Sequence, residues 1–254
     1  MISRGFAKDW VVPSMPVNVS ALTTSRTGGF SEGKYASFNL ANHVGEDNTY
    51  VQRNREFLSK TIGCSRICWL EQEHGSTCVV VGGQDLDRTM RGDAAYTEES
   101  DVALAVLTAD CVPVVMAGED GRGIAIVHAG WRGIEKGVID EAFARFRLHS
   151  PSQVVAWIGP AIGQNNYEVG PEVMAAICDN IKDSRRFFVS VPFPQFGEKR
   201  YFADLSGIVK NKLTSLGISK VSGGEICCFA NENFYSYRRD GITGRMATVV
   251  WRGK

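Results

Sequence analysis

The sequence predicts a layered domain of mixed α/β to α+β class. Continuous apolar runs of strand length recur along the chain, as expected for strands covered on both faces. Amphipathic helical stretches lie between them, interleaved but not in strict alternation, which favours a layered domain over a barrel or a Rossmann fold. No G-x-G-x-x-G follows a strand and no G-x-x-x-x-G-K-[ST] occurs, so dinucleotide and P-loop readings have no support. The 254 residues contain no internal repeat, low-complexity run or long Pro/Gly/Ser linker. A single domain over residues 1–254 is therefore expected.

In chain order, the apolar runs place strands at Val17 to Leu22, Thr77 to Val81, Val102 to Leu107, Val112 to Met116, Gly123 to Val127, Val154 to Ile158 and Ala247 to Trp251. Helices fall between them. Thr49 to Ile62 carries apolar residues at 51, 57, 58 and 62. Ile134 to Leu148 is stronger, with Ile134, Val138, Ile139, Ala142, Phe143 and Phe146 on one face and charged residues opposite. Pro171 to Ile181 opens on Pro then Glu, a helix-start signal. Ala203 to Leu216 runs into Gly217, a residue suited to a left-handed helix end.

Twenty-eight basic and 28 acidic residues give a formal net charge of zero, with 44% apolar and 22% charged residues. That excludes intrinsic disorder and removes charge-driven binding to nucleic acid or membrane as a default function. The first residues lack the apolar core of an export signal. The most apolar stretch, Val102 to Ala117, is cut by Thr108, Asp110 and Pro113, too soon for a spanning helix. Seven irregularly spaced cysteines read as reduced thiols, and a cytoplasmic location is expected.

The four histidines and their neighbours carry the candidate chemistry. His128 ends the run GIAIV and opens HAGWRG, a small-residue turn where α/β proteins often place reactive groups. A core histidine beside ordinary turn glycines is the alternative. Cys111 follows Asp110 between two apolar runs, and a buried structural cysteine is the commoner fate of such a residue. Asp110 is costly in so apolar a stretch unless paired, and it can accept the free N–H of a ligating histidine. His74, in EQEHGS, reads alone as a surface-loop residue. Two histidines and a thiolate would make a three-ligand zinc set with an open fourth position, although sequence-scattered ligands are usually unrelated. The same set suits copper, but four histidines are too few for the trinuclear centre of a true multicopper oxidase.

Arg26 lies in a glycine- and serine-rich segment, and Tyr237, Arg238, Arg239, Asp240 and Arg245 crowd into SYRRDGITGR. The cluster is either a solvated turn or an oxyanion clamp, for which the planar arginine fork is suited. Asn39, Arg55, Asp93 and Tyr35 are further pocket candidates. The absence of G-x-S-x-G leaves a hydrolase-type serine nucleophile without support.

These residues carry a resemblance. TTSRTGGFSEGKYASFNLANHVGED, VQRNREFL, EQEHGS, GDAAYT, LTADCVPV, HAGWRG, GPAIGQNNYEVGPEV and SYRRDGITGRMATVVW resemble, in order, the YfiH family, also called the laccase-domain or polyphenol oxidase family. The resemblance implies zinc held by His74, Cys111 and His128. It implies a YfiH-like layered sandwich related to the catalytic domain of cytotoxic necrotizing factor toxins. The activity implied is a zinc-dependent purine nucleoside phosphorylase acting on adenosine, inosine, guanosine or methylthioadenosine, with accompanying adenosine deaminase activity. Purine nucleosides and phosphate are then the partners, with no obligate protein partner, nucleic acid or membrane. Asp110 is expected to support a ligand, while Arg26, Asn39 and Arg55 are expected to contact substrate.

Three other readings stand beside it. One is copper-dependent phenol oxidation, the activity behind the family's older name. Another is a cysteine hydrolase using Cys111 and His128, with a peptidoglycan precursor as substrate. A non-enzymatic zinc-stabilised domain would need a fourth ligand from Cys227, Cys228 or His43. Two departures from the family pattern are Glu73 before His74, where valine is common, and Asn166 where many relatives carry cysteine.

Overall fold

The computed structural model describes residues 7–82, 90–146, 150–192 and 198–253. Two β-sheets stack face to face. The six-stranded sheet runs, in spatial order, β13 (Lys220–Gly223), β9 (Val154–Ile158), β7 (Val112–Gly118), β8 (Ile124–Ala129), β5 (Ala94–Thr97) and β3 (Cys78–Val80). The five-stranded sheet runs β1 (Val19–Thr23), β14 (Met246–Arg252), β6 (Ala103–Thr108), β2 (Ile67–Glu71) and β4 (Met90–Arg91). A small antiparallel sheet joins β10 (Glu168–Val169), β12 (Tyr201–Ala203) and β11 (Phe188–Ser190).

Helices cover the outer faces. Helix α1 (Asn48–Ile62) packs on the five-stranded sheet, placing Leu58 and Ile62 against Leu22, Ala105 and Val249. On the other side α2 (Trp131–Glu135), α3 (Val138–Phe143), α4 (Pro171–Asn180) and α5 (Leu205–Ser215) cover the six-stranded sheet. The mixed layered class is thus borne out, with helix, sheet, sheet and helix in succession.

This layering explains the continuous apolar runs. Side chains alternate across a strand, so Ala103, Ala105 and Leu107 of β6 face α1 while Leu104 and Val106 face the other sheet. In β7, Val112, Val114 and Met116 face helices, and Val115 and Ala117 enter the space between the sheets. Each fully buried Val, Leu or Ile contributes about 1.5–3 kcal/mol, so both faces of these central strands hold the fold together.

All seven expected strands form, within a few residues of their expected ends, and β9 matches at both ends. The helix expected over Ile134 to Leu148 is corrected. Gly137, at φ 84°, divides it into α2 and α3, and Leu148 lies outside the described residues. Left-handed backbone cannot continue a right-handed helix, and glycine adopts it without a steric cost. The helix α1 opens on Asp47, whose carboxylate accepts the Thr49 amide, and stops at Gly63 at φ 69°. Among the described residues no helix is long and apolar enough to cross a membrane.

Candidate metal centre

Three connections converge at one end of the sandwich. The first crosses from one sheet to the other: β6 ends at Thr108, β7 begins at Val112, and the turn Ala109–Asp110–Cys111 spans the seam. The second is the end of β8. His128 shares a pleat face with Ile124 and Ile126, which enter the intersheet core, so its ring also lies toward that space. The third follows β2. There the Gln72 side chain stands in for a strand residue, donating to the Leu107 carbonyl at 2.9 Å and accepting the Leu107 amide at 2.8 Å. That pairing holds the His74 turn against β6.

Asp93, fully buried beside β5, ties the connections together. Its Oδ1 accepts the His74 amide at 3.0 Å and faces His128 Nδ1 at 2.7 Å. Its Oδ2 accepts the amides of Glu73 at 3.1 Å and Gly75 at 2.7 Å. A carboxylate only accepts, so His128 carries a proton on Nδ1 and turns Nε2 toward Cys111. His74 sits at φ 58°, a left-handed backbone stabilised by the amide bonds on either side of it. Burial pushes Asp93 upward, and the bonds from His128 and the turn amides outweigh it, holding the carboxyl below its ordinary value.

The ligand atoms of His74, Cys111 and His128 all lie within 4.8 Å of one another. Cys111 Sγ and His74 Nε2 are 3.9 Å apart, close to the roughly 3.3–3.7 Å edges that tetrahedral zinc bond lengths imply. The two imidazoles meet edge to face at 4.8 Å. Burial alone would raise the Cys111 thiol, but the His128 charge and hydrogen bond, with smaller effects from His74, bring it down to about 6. Burial works to lower His128, and the Cys111 thiolate and the Asp93 carboxylate raise it to about 9. A thiolate and two imidazoles held this close fit a divalent metal, and the carboxylate behind His128 is the outer partner such sites use. Gly130 makes room for the trio, because a Cβ at this position would stand 3.0 Å from the His74 ring and 3.2 Å from the Cys111 sulfur.

A cavity of about 440 Å³ opens over the trio. Its wall includes Tyr167, Tyr237, Arg238 and Arg245, all distant in sequence from the ligands.

A family model described as multi-copper polyphenol oxidoreductase laccase matches residues 20–253. The chain is also 38% identical, over 245 residues, to a Shigella flexneri protein named purine nucleoside phosphorylase YfiH, covering 95% of this chain and 98% of that one. The chain belongs to the YfiH family. Neisseria meningitidis protein NMB0706 superposes with a TM-score of 0.90 at 36% identity, covering 97% of this chain and all of that one. YlmD of Geobacillus stearothermophilus does so with a TM-score of 0.86 at 31% identity, covering 98% and 97%.

Within this YfiH-family fold, the residues singled out by sequence divide sharply. His74, Cys111 and His128 come together. Asp110 does not support a histidine, which is a correction. Its Oδ1 accepts Ser236 Oγ at 2.7 Å and Cys228 Sγ at 3.2 Å, and its Oδ2 accepts the Arg238 amide at 2.7 Å. With φ at 103°, its backbone turns the carboxylate toward the segment leading into α6 (Tyr237–Asp240). The histidine partner is Asp93, because β5 pairs antiparallel with β8 and brings position 93 alongside 128.

The expected substrate contacts are likewise displaced from the cavity wall. Asn39 is fully buried, accepting the Ala41 and Arg245 amides and donating to Glu46. Arg55 donates to the Leu40 carbonyl at 2.9 Å and lies over the Trp69 ring, where burial lowers it to about 10. Arg26 donates to the Ala36 carbonyl at 3.1 Å, stacks on Tyr235 and faces Asp240 at 3.7 Å. Tyr35 donates to the Val44 carbonyl at 2.7 Å. These residues brace the loop Thr24–Ala41 rather than line the cavity. The SYRRDGITGR segment splits in turn: Arg239 ties down the Cys228, Phe229 and Phe234 carbonyls, while Arg238 and Arg245 reach the cavity wall.

Proposed function

We propose that the chain is a zinc-dependent purine nucleoside phosphorylase with adenosine deaminase activity, acting on adenosine, inosine, guanosine or methylthioadenosine. The observation that carries the reading is the His74–Cys111–His128 set opening on a cavity of about 440 Å³. The printed name of the Shigella relative supports it. His74, Cys111 and His128 would hold the metal through two ring nitrogens and one thiolate. When bound, zinc would act as a Lewis acid toward phosphate or water oxygens.

The chain's own groups do the rest. Asp93 keeps the His128 proton on Nδ1, so that Nε2 stays a donor of electron density. Tyr167 and Tyr237 offer ring faces for a planar base, and both stand beside an arginine. Phosphorolysis breaks the C1′–N bond of the nucleoside and forms a C1′–O bond to phosphate, releasing a protonated base and ribose 1-phosphate. We also propose a cytoplasmic location, in keeping with seven free thiols, and a single domain over residues 1–254.

Chromatography of adenosine incubated with zinc-loaded protein tests this. Adenine and ribose 1-phosphate are expected only with phosphate, and inosine independently of it. Both should vanish on chelation and in His74→Ala or Cys111→Ala. Loss of only one activity would refute a shared centre, and no turnover by folded, zinc-loaded protein would refute the function.

A second reading is supported by the Cys111–His128 pair, in which the thiol is lowered to about 6 beside a buried imidazole. The same arrangement fits a cysteine hydrolase acting on an amide substrate of the peptidoglycan-precursor type. That activity would survive zinc removal and be lost on alkylation. Copper-dependent phenol oxidation, suggested by the family model's description, would require added copper and be absent from the zinc form.

A further inference from the structure

Beside the trio, the cavity wall carries positive charge and an unused hydroxyl. Arg245 is half-buried there and donates through Nη1 to two backbone carbonyls, Thr243 at 2.8 Å and Gly244 at 3.0 Å. Among the described residues its Nε and Nη2 donors have no hydrogen-bond partner and no carboxylate forms an ion pair with it. Such a guanidinium is costly to bury without an anion. His43 shares the wall, and its partial burial, then the charges of Arg245 and Arg55, hold it below its usual value. An anion between His43 and Arg245 would relieve that repulsion.

Thr108 supplies an independent observation. It lines the same cavity, is 1% exposed, and its Oγ1 has no hydrogen-bond partner. Buried hydroxyls are almost always satisfied, so an unpartnered one on a residue of the cavity wall is a group that a ligand atom could complete. The β6–β14 register sets Thr108 opposite Met246, the residue after Arg245. The two residues are thus near neighbours across the β6–β14 pairing, and both line the cavity. The negative groups nearby are already engaged: Asp110 by Ser236, Cys228 and the Arg238 amide, and Cys111 by the two histidines.

We propose that Arg245, Thr108 and His43 form a subsite for a tetrahedral oxyanion of the phosphate class, separate from the metal ligands but sharing their cavity. It rests on the phosphorylase reading only for the role of the anion. Two planar-fork donors, a hydroxyl and an imidazole match the several oxygens of phosphate. The source is either free phosphate, the co-substrate of phosphorolysis, or a phosphoryl group carried by the ligand itself.

Binding of inorganic phosphate and, separately, of adenosine 5′-monophosphate to the full-length protein is measured by calorimetry, with and without zinc. Arg245→Gln and Thr108→Val are each expected to weaken binding about tenfold or more, the loss of one or two charge-assisted bonds. Thr108→Val gives the sharper test. Replacing an unpartnered buried hydroxyl with an isosteric methyl leaves thermal stability unchanged or raised, so weaker binding by a protein at least as stable cannot be a folding defect. His43→Gln, at an exposed position, gives a smaller loss. Tighter binding of the monophosphate than of phosphate identifies a ligand-borne phosphoryl group, and the reverse identifies free phosphate. Variants that bind both anions like the wild type overturn the subsite, as does a wild type that binds neither. Phosphate binding that depends on Arg245 and Thr108, in a protein that never cleaves adenosine, upholds the subsite and overturns the phosphorylase reading.

Discussion

Replacing Asp93 with asparagine tests the framework of the centre more directly than removing a ligand. The carboxylate accepts four bonds, two on each oxygen: His74 N and His128 Nδ1 on one, Glu73 N and Gly75 N on the other. An amide has one oxygen and one NH2, so either orientation sets a donor against two donors. If the oxygen stays with His128, the amides of Glu73 and Gly75 lose their acceptor. Two charge-assisted bonds at about 1.5–3 kcal/mol each, less what water recovers at the partly exposed turn, give an expected loss of about 2–4 kcal/mol.

The pH dependence follows from the same residue. Asp93 is held below its ordinary value, so its contribution is complete at neutral pH and disappears as pH falls through and below the usual carboxylate range. The variant should therefore show a flatter stability profile between about pH 5 and 3 than the wild type. A neutral amide oxygen holds the His128 Nδ1 proton more weakly than the carboxylate does, and zinc affinity in a chelator competition should drop roughly 10–100-fold. Urea titration of metal-free protein measures the first effect and the competition measures the second. Stability within about 0.5 kcal/mol of wild type, together with unchanged zinc affinity, would falsify the assignment of Asp93 as the tie between the two histidines.

Three further outcomes follow from the same geometry. Gly130→Ala places a Cβ between the His74 ring and the Cys111 sulfur at a backbone φ of −72°, which any residue adopts; zinc affinity should fall about tenfold by chelator competition while the circular dichroism spectrum is unchanged. Asp110→Ala strips three accepted bonds from Ser236, Cys228 and the Arg238 amide, and should cost about 2–4 kcal/mol in urea titration while zinc affinity changes less than in the Asp93 variant. In metal-free protein the alkylation rate of Cys111 should rise through about pH 6, because the lowered thiol is already ionised above that value; a rise at the pH of an ordinary thiol would remove the Cys111–His128 ion pair from the description.

The centre was legible in the sequence only through the order of its motifs. His74, Cys111 and His128 come from a turn after β2, a turn between sheets and the end of β8, so no local spacing betrays them. What a single sequence hides is which strands are neighbours. Asp93 reads as one acid among many until β5 is known to lie beside β8, and Asp110, adjacent to a ligand in the chain, looks like the better partner for a histidine. The central strands were plain because both of their faces are apolar. The strand Ala94–Thr97, rich in small residues, and the short strands Met90–Arg91 and Glu168–Val169 carry too little periodic signal to be read. Arg26 and Arg55 looked free for substrate because their acceptors are backbone carbonyls, which leave no mark in the sequence.

The turn Ala109–Asp110–Cys111 joins a strand of one sheet to a strand of the other, with the thiol on the turn and His128 rooted in the second sheet, while Gln72 fastens the His74 turn to the first. The donor set therefore behaves as a caliper laid across the sandwich. Its opening is set by the thickness of the intersheet core, where Val106, Val115 and Ile126 pack. Truncating one of those side chains, far from any ligand, would let the jaws close by a fraction of an ångström. Any metal preference of the donor set would in this way be tied to interior packing, and variation in the core would be a means of adjusting the chemistry at the edge.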